Sequence, residues 1–336
     1  MQRVSSVRAE QHNLFGDPSA ITPERESDRI VSVASQLPGS LYLGTSSWSF
    51  PGWEGLVWRA GHDNLTETTL SRKGLPAYSK HPLFRTVGID RSYYAPLPEA
   101  ECRAYAEQVP DGFRFVMKAD RALVMPELIA TRGAPITPNP LLLDPHHAES
   151  RVINPALAGF GSKLGAIVFQ FPPLGPLRIS KLGGPHAFAD RLHDFLSSLP
   201  VGPEYAIEIR DRGLLTPSYR DALANSGTSH CYAVHPSAPP LDEQSDAIDP
   251  ASQRVCVLRW MLNPYSGDSF REAKSRYEPF NRVVDPDERS LDEIIRILRR
   301  ASALARMVVI NNKAEGSSPL SAVRLAERFV EQQKTE

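Results

Sequence analysis

From Leu41 onward, short apolar runs alternate with longer stretches whose apolar residues recur at helical spacing. Eight runs of strand length stand out: LYLGTSSW from Leu41, TVGIDRSYY from Thr86, RFVMKA from Arg114, GAIVFQF from Gly165, EYAIEIR from Glu204, SHCYAVH from Ser229, VCVLRWML from Val255 and ARMVVINN from Ala305. Most are too continuously apolar for a sheet with one wet face, and they read as parallel strands buried on both sides. Helical periodicity fills residues 66–80, 99–108, 186–199, 217–225 and 291–304 between them, and 320–332 after the last. The connection after His235 has the weakest helical pattern. Eight such repeats predict an α/β protein with a closed (β/α)8 barrel of the TIM type. An open doubly wound sheet alternates similarly, but it usually has fewer strands and a Gly-rich turn after the first, where this chain has Ser47-Trp48.

The barrel accounts for residues 40–333 as one domain, and 336 residues suit that architecture. Residues 1–39 are polar, of mixed charge and dotted with prolines, and read as a disordered tail. The chain elaborates in residues 49–65, 119–144, 172–185 and 263–290, all βα connections. In a barrel these emerge at the C-terminal rim, where active sites are built.

Polar residues at the strand ends sharpen this. Ile207 and Ile209 suit the helix-facing positions of the fifth strand, which turns Glu208 and Arg210 toward the barrel interior, roughly 6.5 to 7 Å apart along the strand. Ser46 and Trp48, Asp90 and Tyr94, Lys118, Gln170, Arg259, and Asn311 with Asn312 end other strands in the same way. An inward charge is costly unless paired or functional, so the ring predicts a site for a small polar ligand at the mouth.

Composition narrows the class. With 41% hydrophobic and 23% charged residues the chain can bury a large core, and a formal charge of -1 gives no broad basic face for nucleic acid. Cys102, Cys231 and Cys256 form no CxxC pair and read as reduced core residues. Neither a signal-peptide apolar region nor a spanning run of about 18 apolar residues is present, so the expectation is a cytoplasmic protein without membrane partners.

The same residues carry a family resemblance over about residues 41–329. Gly44-Thr45-Ser46-Ser47-Trp48 with Pro51-Gly52-Trp53, Lys118 closing its strand, Lys163-Leu164-Gly165 with Phe169-Gln170-Phe171-Pro172-Pro173, Glu208-Ile209-Arg210, Arg259, and Asn311-Asn312 with Gly316 resemble the motifs of the YecE-like family, the domain of unknown function 72. The resemblance implies a barrel and an unassigned activity. This chain departs from the family in having Gly88-Ile89-Asp90 where a Glu-Ile-Asn is usual, in lacking the usual His after the third strand, and in having the His235 region where an aspartate is expected.

Chemically, Asp90 and Glu208 are candidates for general acid and base, with Arg210 keeping Glu208 ionised, and Lys118, Arg210 and Arg259 supply positive charge. Asp90, Lys118, Glu208 and Arg210 are therefore the expected catalytic group. Ser46, Trp48, Tyr94, Gln170, Arg259, Asn311, Asn312 and Ser317 are the expected ligand contacts. Ser317 before Pro319 reads as an N-cap whose helix could anchor a phosphate. The cationic surplus favours a small phosphate- or carboxylate-bearing ligand and metal-independent hydrolase, lyase or isomerase chemistry, while leaving open whether the chain is an enzyme.

No metal or cofactor is implied. His235 is the histidine near a strand end, and Asp144, His146, His147 and Glu149 fall in a connection that reads as a solvated face. Trp48, Phe50, Trp53 and Trp58 suit either stacking over the mouth or packing beneath a lid. A non-enzymatic alternative is an adaptor: Gln11, Leu14 and Phe15 of QHNLF resemble a peptide that docks on the bacterial sliding clamp, with Arg271, Lys274, Arg276 and Tyr277 as a nucleic-acid contact.

Overall fold

In the computed structural model, which describes residues 21–60, 65–128 and 137–334, eight parallel strands close into a barrel in chain order. They are β1 (Leu41–Thr45), β2 (Phe84–Ile89), β3 (Arg114–Lys118), β4 (Leu164–Gln170), β5 (Tyr205–Glu208), β6 (Ser229–Val234), β7 (Val255–Trp260) and β8 (Ala305–Ile310). The last strand pairs with the first, Ile310 opposite Thr45, and completes the predicted (β/α)8 fold.

Strand alternation sorts the apolar side chains into two separate clusters. On β7, Cys256, Leu258 and Trp260 join the large layer between barrel and helices, whereas Val255 and Val257 join a small cluster inside the barrel. On β8, Val308 and Ile310 face the helix layer, and Met307 and Val309 face inward. Most of the inner cluster is small: Val116, Ala166, Val168, Ala206 and Cys231 complete it around Met307. On seven strands this filling stops one step below the mouth, and the next inward residue, two positions further on, is polar; on β6 the residue two beyond Cys231 is the buried Ala233. That is the physical origin of the ring of Ser46, Asp90, Lys118, Gln170, Glu208, Arg259 and Asn311. All three cysteines are buried and free.

The expected tail needs correction over residues 21–39. Ile21–Pro23 pairs antiparallel with Trp58–Ala60, and Ser27 caps a helix at Asp28–Gln36 by accepting from the Ile30 amide. Ile30, Val33, Ala34 and Leu37 lie on one side of that helix and pack on the core, and Arg29 pairs with Glu327 at 2.6 Å. Residues 1–20, and with them the Gln11, Leu14 and Phe15 motif, lie outside the described residues.

The weak connection after β6 does hold a helix, Leu241–Ala247, and its buried anchor is polar. The Gln244 amide donates to the carbonyls of Ala233 at 2.9 Å and Pro239 at 2.5 Å, and its carbonyl accepts from the Ala233 amide at 3.0 Å. Hydropathy cannot register such an anchor. Between β3 and β4 the chain forms helical turns at Pro145–Ala148 and Asn154–Phe160, which the helical periodicity of the sequence does not predict. Asp144 caps the first of these, and His147 pairs with Asp120 at 2.9 Å, which accounts for that acidic and histidine-rich stretch. Lys163 donates to the carbonyls of Ala106 at 2.8 Å and Val109 at 2.7 Å, so the KLG motif holds the end of helix Glu99–Ala106. Among the described residues no helix is long and apolar enough to cross a membrane.

At Gly44 there is no room for a side chain between β1 and β2: a Cβ there would lie 1.8 Å from the Thr86 carbonyl oxygen, at a register irregularity in their ladder. Gly44→Ala must push the two strands apart and is expected to destabilise the protein by about 3 kcal/mol or more, read as a lower urea midpoint. Gly112→Ala, where nothing lies within 4 Å of the added methyl, serves as the control. Equal midpoints for the two variants would refute this account of the β1–β2 contact.

Candidate functional site at the barrel mouth

Arg259 projects from β7 into the centre of the polar ring and binds three other strands. Its Nη1 donates to Glu208 Oε2 at 2.5 Å and to Gln170 Oε1 at 3.0 Å, and its Nη2 donates to Asp90 Oδ1 at 2.9 Å. Arg210 pairs through Nη2 with the other oxygen of Glu208. Lys118 Nζ lies 3.7 Å from Asp90 Oδ1 and 4.8 Å above the Tyr93 ring. The expected catalytic group of Asp90, Lys118, Glu208 and Arg210 is thus one continuous network, with Arg259 as its hub. Exposure divides it: the side chains of Glu208, Arg259 and Arg210 are 0%, 2% and 5% exposed, against 31% for Asp90.

Charge fixes the protonation states. Burial works to raise the Glu208 carboxyl, but Arg210, Arg259 and Lys118 prevail and hold it down to about 2. Glu208 is therefore ionised, as the sequence suggested, but it is enclosed by two guanidinium groups and too weak a base for proton abstraction. Burial lowers the Lys118 ammonium, with Asp90 opposing. His235, just beyond β6, is pushed down to about 3 by burial and then by Arg210, and so is neutral at pH 7. The Ser237 amide donates to His235 Nδ1 at 3.1 Å, which leaves the ring proton on Nε2.

The β8 side adds a group that sequence reasoning missed. Asn311 Nδ2 donates to Ser46 Oγ at 2.8 Å, and Lys313 Nζ donates to Asn311 Oδ1 at 3.5 Å. Lys313 is buried, with Nζ 4.2 Å from the Phe270 ring centre and 5.4 Å from that of Phe280, and burial followed by Lys274 brings it down to about 8. Its position two residues beyond Asn311 was the available signal.

The other expected contacts are placed differently. Asn312 is fully buried, and its carbonyl accepts from Trp53 Nε1 at 3.2 Å, from the Ser318 amide at 2.9 Å and from Ser318 Oγ at 2.8 Å. It is a brace beneath the loops and does not face a ligand space. Ser317 must be corrected likewise: its buried side chain makes no cap bond, and the Ser318 amide is already taken by Asn312, so the expected phosphate anchor is closed. Tyr94 is 68% exposed on the rim, beside Arg121, apart from the network. Trp53 and Trp58 are buried against each other, ring centres 5.6 Å apart, and cannot stack a ligand. In the basic lid segment, Arg276 pairs with Asp268 at 3.0 Å and Asp285 at 2.6 Å, and Lys274 with Glu278 at 3.6 Å, so most of its charge is neutralised locally.

A cavity of about 420 Å³ opens beside the network, between the ends of β1 and β2 and the helix Glu67–Lys73. Ser46, Trp48 and Asp90 line it. Asp90 is thus the titratable group shared by the buried network and the open space. Among the described residues no three His, Cys, Asp or Glu side chains converge as a metal-holding group.

Two depressed groups set the acid behaviour. Glu208 sits at about 2 against an ordinary 4.5, so its stabilisation is complete above pH 4.5 and is lost as the pH falls through 2. His235 at about 3 and the buried His230 at about 4 start from 6.5, so theirs is complete above pH 6.5 and fades on acidification below it. Denaturant unfolding at a series of pH values is expected to show stability declining from pH 6.5 downward, with His235→Phe removing about half of the decline above pH 4.5. Glu208→Gln is expected to flatten the lower part and to cost roughly 3–5 kcal/mol at pH 7, because it takes the carboxylate partner from the buried Arg210 and leaves Arg259 with the Asp90 carboxylate alone. Slopes unchanged by either substitution would contradict these assignments.

Comparison with known proteins accords with this architecture. Residues 42–336 match the family described as "Protein of unknown function DUF72". The UPF0759 protein YunF of Bacillus subtilis is 28% identical over 135 residues, a stretch covering 40% of this chain and 40% of that relative's length. A crystal structure of a DUF72 family protein from Thermotoga maritima superposes with a TM-score of 0.54 at 17% identity, covering 88% of this chain and 99% of the other. One from Enterococcus faecalis gives 0.51 at 16% identity, covering 87% and 95%. Identities this low establish the shared fold alone, and it is the match over residues 42–336 that makes this chain a member of the DUF72 family.

Proposed function

We propose that the barrel mouth binds a small molecule bearing a phosphate or carboxylate group and acts on it by acid–base chemistry. The observation that carries this reading is Arg210: its side chain is buried, yet Nε and Nη1 have no hydrogen-bond partner among the described residues. An unmet buried donor costs about 1–3 kcal/mol, more when it is charged, so the vacant N–H groups favour an anionic acceptor. The surroundings agree in sign, since Lys118, Arg210, Arg259 and Lys313 face Asp90 and Glu208. The neutral His235, with its proton on Nε2, adds a further donor on the Arg210 side.

Within this reading Glu208 is a positioning residue that fixes two guanidinium groups. Asp90 is the proton-handling carboxylate, because it reaches the cavity, and Lys118 beside it is an ammonium with its proton loosened by burial. A developing negative charge would be met by preorganised cations, the arrangement that serves hydrolase, lyase and isomerase chemistry.

Thermal-shift titration with phosphate, sulfate and di- and tricarboxylates tests the reading. At least one anion is expected to stabilise the protein, by about 2.7 kcal/mol at a concentration of one hundred times its Kd, and Arg210→Gln is expected to remove the shift. Stabilisation of equal size in that variant, or none in the unmodified protein, would rule the anion site out.

A further inference from the structure

The cavity beside Asp90 has a wall of distinctive chemistry. The hydroxyl-bearing residues Ser46, Ser47, Ser49, Thr68 and Ser71 line it together with Trp48. Trp48 cannot turn its N–H toward a guest, because Nε1 donates to the Ser71 carbonyl at 3.2 Å and the ring packs edge-on against Tyr105 at 5.0 Å. Several polar atoms remain available. Among the described residues, Asp90 Oδ2 and the side-chain hydroxyls of Thr68 and Ser71 have no hydrogen-bond partner, and Ser46 Oγ accepts from Asn311 Nδ2 while its own O–H is free to donate. Charge on this wall is balanced, with Glu67 and Asp90 opposite Arg72 and Arg91, and Arg91 is tied to Glu101 and the Tyr105 hydroxyl.

A space of about 420 Å³ is within the range of small-ligand sites. Hydroxyl, carboxylate and guanidinium groups around one indole suit a guest that carries several neighbouring hydroxyls and C–H faces, and suit poorly a bare anion or a hydrocarbon. Barrel order supplies the second half of the argument. The cavity occupies the β1–β2 sector, the donors of Lys118 and Arg210 occupy the β3–β5 sector, and Asp90 stands between them.

We infer that the cavity is the subsite for the polyhydroxylated part of the ligand, so that the substrate class is a sugar or polyol carrying a phosphate or carboxylate. The inference rests on the anion-binding reading above and adds where the uncharged part of the ligand lies. In this arrangement the hydroxyls occupy the sector of Ser46 and Ser71, the anionic group occupies that of Lys118 and Arg210, and the carbon between them is presented to Asp90.

Isothermal titration of the full chain with inorganic phosphate, ribose 5-phosphate, glucose 6-phosphate and gluconate tests it. At least one of the three polyol anions is expected to bind ten times more tightly than phosphate or more. Ser71→Trp, which fills the cavity from its helix wall, is expected to remove that advantage while phosphate still binds. Thr68→Tyr, at an exposed position of the same helix, provides a second obstruction that the fold tolerates readily. Polyol anions binding no more tightly than phosphate, or an advantage that survives both obstructions, would overturn the polyol subsite and leave the anion reading standing. Failure of phosphate and of every polyol anion to bind the unmodified protein would overturn both.

Discussion

A guanidinium group at the axis of a barrel has to be neutralised, and the mouth of this protein is arranged around that need. Arg259 is carried there by β7 and is buried, where an unpaired charge would be untenable. Glu208, Gln170 and Asp90 reach it from three other strands. Everything notable about the site follows from how those partners are used up. Glu208 is shared between Arg259 and Arg210, which makes it a fixed counter-ion instead of a base. Asp90 gives one oxygen to Arg259, has the other without a partner among the described residues, and lines the cavity. Arg210 spends one nitrogen on Glu208 and retains donors that nothing in the described chain accepts. Buried ion pairs of this kind seldom add much net stability, since desolvation offsets attraction. Their effect here is orientation: charges held at fixed positions before any ligand arrives.

The loops around the network are braced from beneath, so the mouth has a firm frame. Asn312 ties the Pro51–Trp53 turn to the start of the last helix, Ser318–Gln333, through Trp53 and Ser318. Glu315 receives the Asp287 amide at 2.8 Å and is paired with Arg324, while its carbonyl accepts from Val284 at 2.7 Å and Asp285 at 3.0 Å. The long β7–β8 connection is thereby pinned over the β8 end, and it delivers Phe270 and Phe280 to the Lys313 ammonium. The cavity opens in the β1–β2 sector, against the helix Glu67–Lys73.

Much of this was legible in the chain because strand alternation is a strong constraint. Ile207 and Ile209 facing the helices left Glu208 and Arg210 one direction to point, and the ring followed from the same parity on the other strands. Where the reading failed, the deciding contact was polar or tertiary. Asn312 and Asn311 are adjacent and chemically identical, yet parity sends one beneath the loops and the other to Ser46. Ser317 has the sequence of an N-cap, but Asn312 from a preceding turn takes the Ser318 amide. Gln244 anchors its helix by four hydrogen bonds that no apolar pattern reports. The helix at Asp28–Gln36 did have a signal, in Ser27 followed by Ile30, Val33, Ala34 and Leu37, that the surrounding polarity obscured. Lys313 went unnoticed because nothing in the sequence places Phe270 and Phe280 around it.

The account depends on Arg210 having donors to offer a guest. Crystals grown with selenate, whose selenium scatters anomalously, would locate a bound oxyanion without reference to any assay. The expected result is an anomalous peak whose oxygens lie about 3 Å from the Arg210 guanidinium, on the side away from Glu208. Arg210 turned to a protein acceptor, with no oxyanion in the mouth at selenate concentrations that saturate the solution, would contradict it.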